Sequence, residues 1–396
     1  MPSLISYPTF LPKEERLAVS NQHISLKIGL PKESTYQEKR ICLAPDDVAV
    51  LVANGHRILV ESEAGNAANF SDSDYSEAGA EIVYDTEKVF ACPIVLKVEP
   101  PTEAEIKYLQ HKAVLISALQ IKTQTKAYFE ALAQKQITAL AFEYIQDQQR
   151  NHPVRQSMSE IIGIGSVLVA SELVADTHTG GGLLFGNITG VPPIEVVFLG
   201  ANGIVQAGVK AALGLGAKVK VFDRSLADLR KLKNHVGESV FTSTLQPKIL
   251  NKALMRCNVL IGAMFGEKRS PIVVNETMVK LMKKGAVIVD ASIDTGGCIE
   301  TSRITTLAKP TFVKHSVIHY CVPNMASRYA RTASLTLSNI MMPYLLQIGE
   351  EGGMENILHT DVGLRSGLYF YHGILTDSTV SQWFGLPYQP INLLFI

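Results

Sequence analysis

Two series of short apolar runs divide the chain. The first comprises Leu26–Leu30, Ile58–Val60, Ile94–Val98, Val114–Ile116 and Ile137–Phe142, with apolar positions at helical spacing in between. The second comprises Val196–Leu199, Val219–Phe222, a run ending at Gly262, Ala286–Val289 and Val317–Val322. Strands alternating with helical patterns predict α/β architecture and mostly parallel sheets. Residues 1 to about 24 carry few periodic apolar positions and predict an extended arm.

Between the series, RNHPVRQSMSEIIGIGSVLVASELV reads as a long helix opened by Ser157 or Ser159, with Glu160 close by. The segment DTHTGGGLLFGNITGVPP then places seven glycine or proline residues ahead of the second series, a turn into a second domain. A helix from about Thr332 to Ile348 is predicted to return the chain to the first domain. The aromatic and aliphatic tail should pack there or on a neighbouring subunit. The expected fold is two Rossmann-like, doubly wound α/β domains with a cleft between them. Residues 1–154 with 330–396 form the substrate domain and 155–329 the nucleotide domain.

The stretch EVVFLGANGIVQAGVKAALGLGAKVKVFD, Glu195 to Asp223, carries the nucleotide expectation. It reads as strand, turn, helix from about Gly203 to Leu213, a stop at Gly214 and Gly216, and a second strand. In dinucleotide-binding folds such a turn gives backbone N–H groups to the pyrophosphate, and a carboxylate about 20 positions on binds the ribose 2′-hydroxyl. Asp223 stands at that place and favours NAD over NADP, while Arg224 beside it tempers the preference. Of the G-x-G-x-x-G frame only Gly200 is present. Asn202 replaces the glycine that admits the phosphates and Val205 the one that allows close packing, with Gly203 and Ile204 between them.

Composition narrows the function classes. With 37 basic and 37 acidic residues the chain offers no electrostatic case for nucleic acid or a membrane surface. Its 46% hydrophobic content forms no uninterrupted run of about 18 apolar residues. The prolines at 2, 8 and 12 and the lack of a basic start argue against a signal peptide, so a cytoplasmic location is expected. Cys42, Cys92, Cys257, Cys298 and Cys321 lack CxxC spacing, which argues against a zinc site or disulfide frame; no metal is expected.

Several residues fall where strands of an α/β sheet end, the usual place of a ligand crevice. Arg40 lies in the loop after the first strand, where a guanidinium could hold a carboxylate by two parallel hydrogen bonds or simply sit solvated beside Glu38, Asp46 and Asp47. Lys97 ends the strand PIVLKV, and its amine should project at the same edge, to anchor a carbonyl oxygen or to snorkel past the rim. Gln120 lies in the loop that ends the next strand; an amide hydrogen-bonds but transfers no proton. Asp294, before Gly296 and Gly297, is placed to exchange protons or to bind a nicotinamide ribose, and also reads as an ordinary turn aspartate. His319 lies within its strand and reads as structural.

Taken together, GLPKE…EKRICLAP, NGHRILVESEAG, DSDYSEAGAEIV, VLKVEPP, MSE, GVPP, GLGA, VIVDASIDTGGCIETSR and IHYCVPNM…RTAS resemble the alanine dehydrogenase family and its relatives, the transhydrogenase alpha subunits, over roughly residues 26 to 348. The resemblance implies reversible oxidative deamination of L-alanine to pyruvate and ammonium with NAD, in a homo-oligomer that is commonly hexameric. By the same resemblance Arg40 matches the carboxylate-gripping arginine, Lys97 the lysine at the carbonyl or amino end, and Asp294 an active-site aspartate. Ser159, Asp223, Asn324 and Met325 match cofactor-site positions, and Asn324 is also a candidate substrate contact. The family's histidine, as in LHLA, is replaced where this chain reads ALQI, so Gln120 occupies the acid–base position and Asp294 or Lys97 must carry the proton. A catalytically silent relative, a dehydrogenase or imine reductase for another 2-oxo acid, and a transhydrogenase subunit are the rival readings.

Overall fold

The computed structural model describes residues 23–35, 37–237 and 239–395. The expected N-terminal arm falls, but for its last two residues, outside them. The first sheet takes β1 (Lys27–Leu30), β2 (Arg57–Glu61), β3 (Glu81–Val83), β4 (Ile94–Leu96), β5 (Val114–Ser117) and β6 (Thr138–Ala141). The second takes β7 (Glu195–Leu199), β8 (Lys218–Phe222), β9 (Phe241–Ser243), β10 (Val259–Gly262), β11 (Val287–Asp290), β12 (Thr311–Lys314) and β13 (Val317–Tyr320). The tail sends β14 (Leu368–Tyr371) and β15 (Ile374–Leu375) back to the first sheet.

The strand orders explain where chemistry can gather. The first sheet runs β15-β14-β6-β5-β4-β1-β2-β3 and the second β12-β13-β11-β10-β7-β8-β9. Pairing is parallel throughout except at β14–β6, β14–β15 and β12–β13. Both sheets are thus doubly wound, in two Rossmann-like α/β domains. Each reverses direction once, between β1 and β4 and between β7 and β10. At such a switch point the following loops part and leave a crevice at the strands' carboxyl ends.

The helix Pro153–Ala175 joins the domains. Its start corrects the sequence expectation: Pro153 opens it and no side chain caps it, so Ser157 and Ser159 lie inside the helix. Proline is preorganised for the first helical position, where its missing N–H costs nothing. By length and mean hydropathy, 1.6, this helix would suffice to cross a membrane. Here Val167, Val169, Ala170 and Val174 are instead buried in the second domain's core. The helix Ala330–Glu350 returns the chain, burying Leu337, Met341, Leu345 and Ile348 against the first domain.

The packing of Pro153–Ala175 on the helix Gly203–Gly214 answers one of the missing glycines. A Cβ on Gly163 would lie 2.2 Å from the Ile204 carbonyl oxygen, and one on Gly208 would lie 2.8 Å from Phe198. Close approach therefore rests on Gly163 and Gly208, and Val205 is fully buried without obstructing it.

Candidate active site

A cleft of about 710 Å³ opens between the carboxyl edges of the two sheets, lined among others by Arg40, Glu99, Gln120, Glu143, Asp294 and Asn324. Arg40 and Glu99 come from the loops after β1 and β4, Gln120 and Glu143 from those after β5 and β6, and Asp294 and Asn324 from those after β11 and β13. Parallel strands bring these distant positions to one edge.

Arg40 is not a solvated arginine. Its Nε donates to Glu38 Oε1 at 2.7 Å and its Nη2 to Glu38 Oε2 at 2.6 Å, with the carboxylate side chain fully buried. Burial works against the charge on Glu38, but the guanidinium outweighs it and holds the carboxyl below its usual pKa. This pairing uses one edge of the fork. The Nη1–Nη2 edge keeps N–H donors for a second carboxylate: among the described residues Nη1 donates only to the Met158 sulfur, at 3.5 Å.

Lys97 departs from expectation. Its amine does not project freely at the sheet edge and does not line the cleft; Nζ is buried and donates to Glu33 Oε2 at 2.5 Å. Glu33 also accepts from the backbone N–H of Val98 at 2.6 Å, so the lysine folds back onto a carboxylate anchored beside it. Burial opposes the ammonium, but Glu33, Glu105 and Glu99 outweigh it and raise the Lys97 pKa. Burial pushes Glu33 up to about 7 despite the lysine.

Asp294 sits in the short turn Ile293–Thr295, open to the cleft but crowded on its other sides. That crowding raises its pKa, against the Asn324 N–H, which donates to Oδ1 at 2.9 Å, and the charge of Arg40. The turn is tied down by buried Asp290, whose oxygens accept from the hydroxyls of Ser292 and Ser302, both at 2.7 Å. Asn324 also donates its side-chain N–H to Glu38 Oε2 at 2.7 Å. One asparagine thus links Asp294 of the second domain to the Glu38–Arg40 pair of the first.

Gln120 is exposed in the cleft, with left-handed backbone at φ 43° and ψ 49°. Beneath it Glu143 Oε1 accepts from the Leu119 N–H at 2.8 Å. Glu143 Oε2 is buried with no hydrogen-bond partner among the described residues. Sequence reasoning named neither Glu33 nor Glu143; the signal available was a glutamate shortly after a strand end, next to a candidate loop.

The nucleotide crevice is built differently. Gly200, at φ 107°, makes a turn that a Cβ would block 2.5 Å from the Ala263 carbonyl oxygen. Asn202 caps the following helix: Oδ1 accepts from the N–H of Ile204 at 3.1 Å and of Val205 at 3.3 Å, and Nδ2 donates to the Ala263 oxygen at 2.7 Å. The side chain spans from the β7 loop to the β10 loop, across the switch point itself. Gly203 faces Ser159, whose Cβ is 3.3 Å from where a Cβ at 203 would stand. Asp223 is buried at the end of β8 with Oδ1 accepting from the Ser225 N–H at 2.7 Å, and Arg224 is exposed. Met325 is buried in the second domain's core, its sulfur 3.2 Å from Ser166 Oγ, and does not line the cleft. The turn at Gly200, the N–H of Gly203 and the carboxylate of Asp223 fit a dinucleotide; Asn202 occupies two N–H donors of the first turn of the helix.

Fold and site define a two-domain α/β protein of the Rossmann class, with charged residues from both sheets turned to one cleft. The family models described as the N-terminal and C-terminal domains of alanine dehydrogenase/PNT match residues 29–162 and 166–378. Alanine dehydrogenase 2 of Staphylococcus aureus (strain Mu50) is 36% identical over 369 residues, 93% of this chain and 99% of that protein. A solved L-alanine dehydrogenase superposes with a TM-score of 0.82 at 34% identity, covering 90% of this chain and 98% of the other. A transhydrogenase from Sinorhizobium meliloti, at TM-score 0.75 and 21% identity, shares the fold. The chain belongs to the alanine dehydrogenase/PNT family.

Proposed function

We propose that this chain catalyses the reversible, NAD-dependent oxidative deamination of L-alanine to pyruvate and ammonium, as a cytoplasmic homo-oligomer, with a hexamer as the expected form. The observation that carries the reading is the Nη1–Nη2 edge of Arg40, which meets no carboxylate among the described residues beyond Glu38 at Nη2 and is held by Glu38 in the cleft that Asp294 shares. A guanidinium so fixed suits a small planar carboxylate. Asp294, open to the cleft with its pKa raised by the protein crowded around it, is suited to take the proton the α-ammonium must lose before the nitrogen lone pair can form a C=N bond. Lys97, held by Glu33, fixes positive charge behind the substrate. Gln120 offers its amide to orient water.

The dinucleotide would be held by the Gly200 turn, the Gly203 N–H, Ser159 and Asp223, and supplies the acceptor for the hydride leaving the α-carbon. The Asp223 carboxylate would repel a 2′-phosphate, which supports NAD over NADP. Five free, buried cysteines suit a reducing compartment.

Asn202, across the nucleotide crevice, and Gln120, at the acid–base position, favour a second reading: a family member that keeps the fold without the reaction. Titrating the purified protein into NADH and following nicotinamide fluorescence separates the two. Saturable enhancement supports the dehydrogenase; its absence at millimolar protein supports the silent relative.

A further inference from the structure

We propose that Glu143 is the acid–base residue for the water step, taking the place of the side chain that Gln120 cannot supply. The assignment rests on the alanine-deaminating reading above. Glu143 lies in the turn Phe142–Tyr144 after β6 and lines the same cleft as Arg40, Gln120 and Asp294. Its two oxygens have different fates. Oε1 anchors the Leu119–Gln120 turn through the Leu119 N–H at 2.8 Å, which helps hold Gln120 in left-handed backbone that a non-glycine residue adopts only under constraint. Oε2 is buried without a partner among the described residues.

A carboxylate serving only as a turn anchor would satisfy both oxygens, because a buried acceptor left unpaired destabilises the fold. One left over just beneath the surface of a residue that lines the cleft is placed to gain or give a proton. Burial also raises the Glu143 pKa, against the N–H groups of Leu119 and Gln120 and the charge of Arg155, so protonated and ionised forms lie closer in energy than for a solvated glutamate. Asp294 stands on the opposite domain with Oδ1 already engaged by Asn324. The two carboxyl groups therefore divide two protons, Asp294 taking that of the α-ammonium and Glu143 that of the water.

The step balances as follows. Once the α-carbon has lost its hydride, the substrate is the iminium CH3C(=NH2⁺)COO⁻. Water oriented by the Gln120 amide forms a C–O bond to that carbon as the C=N π electrons move to nitrogen, and one water proton passes to Glu143. The neutral carbinolamine then receives this proton on nitrogen. The C–N bond breaks with its electrons to nitrogen, the hydroxyl oxygen closes the carbonyl, and the hydroxyl proton returns to Glu143. Ammonia leaves and takes that proton as ammonium, which restores the carboxylate.

Glu143→Gln and Glu143→Asp in the full chain test the assignment, with NADH fluorescence confirming that each variant folds and binds. Hydride transfer precedes the water step, so with alanine and NAD⁺ the Gln variant should form its first equivalent of NADH at the wild-type rate. It should then turn over about 10²–10⁴-fold more slowly and lose the acid limb of the kcat–pH profile, while the Asp variant recovers part of the rate. Independently of turnover, the infrared absorption of protonated buried carboxyls should lose one titrating component in the Gln variant, while those of Glu33 and Asp294 remain. Unchanged steady-state turnover in the Gln variant, or a first turnover slowed as much as later ones, overturns the assignment while leaving the dehydrogenase reading intact. Wild-type protein that binds NADH but forms none from alanine overturns that reading, and this role with it.

Discussion

In the first domain the crevice between β1 and β4 is lined by Arg40, already paired with Glu38, and backed by the buried Lys97–Glu33 pair. In the second domain the corresponding crevice, between β7 and β10, is bridged by the neutral side chain of Asn202. Both sheets turn at the same point of the same strand order, so topology alone does not account for the difference. A substrate carboxylate needs a preorganised cation, and buried carboxylates hold it in place. A pyrophosphate needs unoccupied backbone donors, and in the second domain a side chain has taken two of them. On the proposed function the first crevice would be organised for its ligand in advance, whereas the second would exchange internal hydrogen bonds for ligand ones.

The largest effect should come from the first crevice. Arg40→Ala leaves Glu38 buried with only Asn324 and neighbouring N–H groups, and removing one member of a buried pair costs about 3–5 kcal/mol. Urea unfolding should show that loss alongside weakened binding of both alanine and pyruvate. An unchanged midpoint would mean that Arg40 is not anchored, and unchanged turnover at subsaturating alanine that it is not a clamp. Gln120→His tests the acid–base gap on the same side: turnover should rise by up to about 10²-fold, with a pH profile newly titrating near neutrality. No change in rate or profile would place position 120 outside the proton path.

Asn202→Gly probes the second crevice and should move the other way from the arginine change. Glycine at the cap costs only a few tenths of a kcal/mol, and the freed N–H groups of Ile204 and Val205 should tighten NADH by roughly five- to tenfold, the size of one hydrogen bond. Weaker binding in a fluorescence titration would instead show that the asparagine itself holds the cofactor.

A separate test, on stability alone, concerns His319, buried in the second sheet with Nε2 2.7 Å from Thr301 Oγ1. Burial lowers its pKa from 6.5 to about 4, the Val317 carbonyl opposing. Between those values the unfolded chain takes up a proton that the folded one refuses. Stability present above about pH 6.5 is therefore lost as pH falls toward 4. Urea midpoints measured through that window should decline in the wild type and decline less in His319→Gln.

The legibility of these two regions in the sequence also differs. The apolar runs located both sheets, because a strand buried on both faces must be almost wholly apolar. The positions after those runs located Arg40, Gln120, Asp294 and Asn324 at the cleft, because parallel strands end at one edge. What a side chain does there was less legible. Lys97 looked free because Glu33, its partner, lies 64 positions away. Glu143 passed unnoticed because an unpaired oxygen is a property of packing, with no periodicity to betray it. Asn202 read as a defect in a glycine frame. Its capping role was open to sequence reasoning, since asparagine before a helix is a common cap. Its bond to Ala263 required the second strand loop to be in place.

The rate of NADH oxidation by the purified protein with pyruvate and ammonium together tests the central claim most directly, with NADPH run in parallel. Consumption that needs both pyruvate and ammonium, and that runs far faster with NADH than with NADPH, is the predicted result. A protein that binds NADH yet consumes none with both substrates saturating would contradict it.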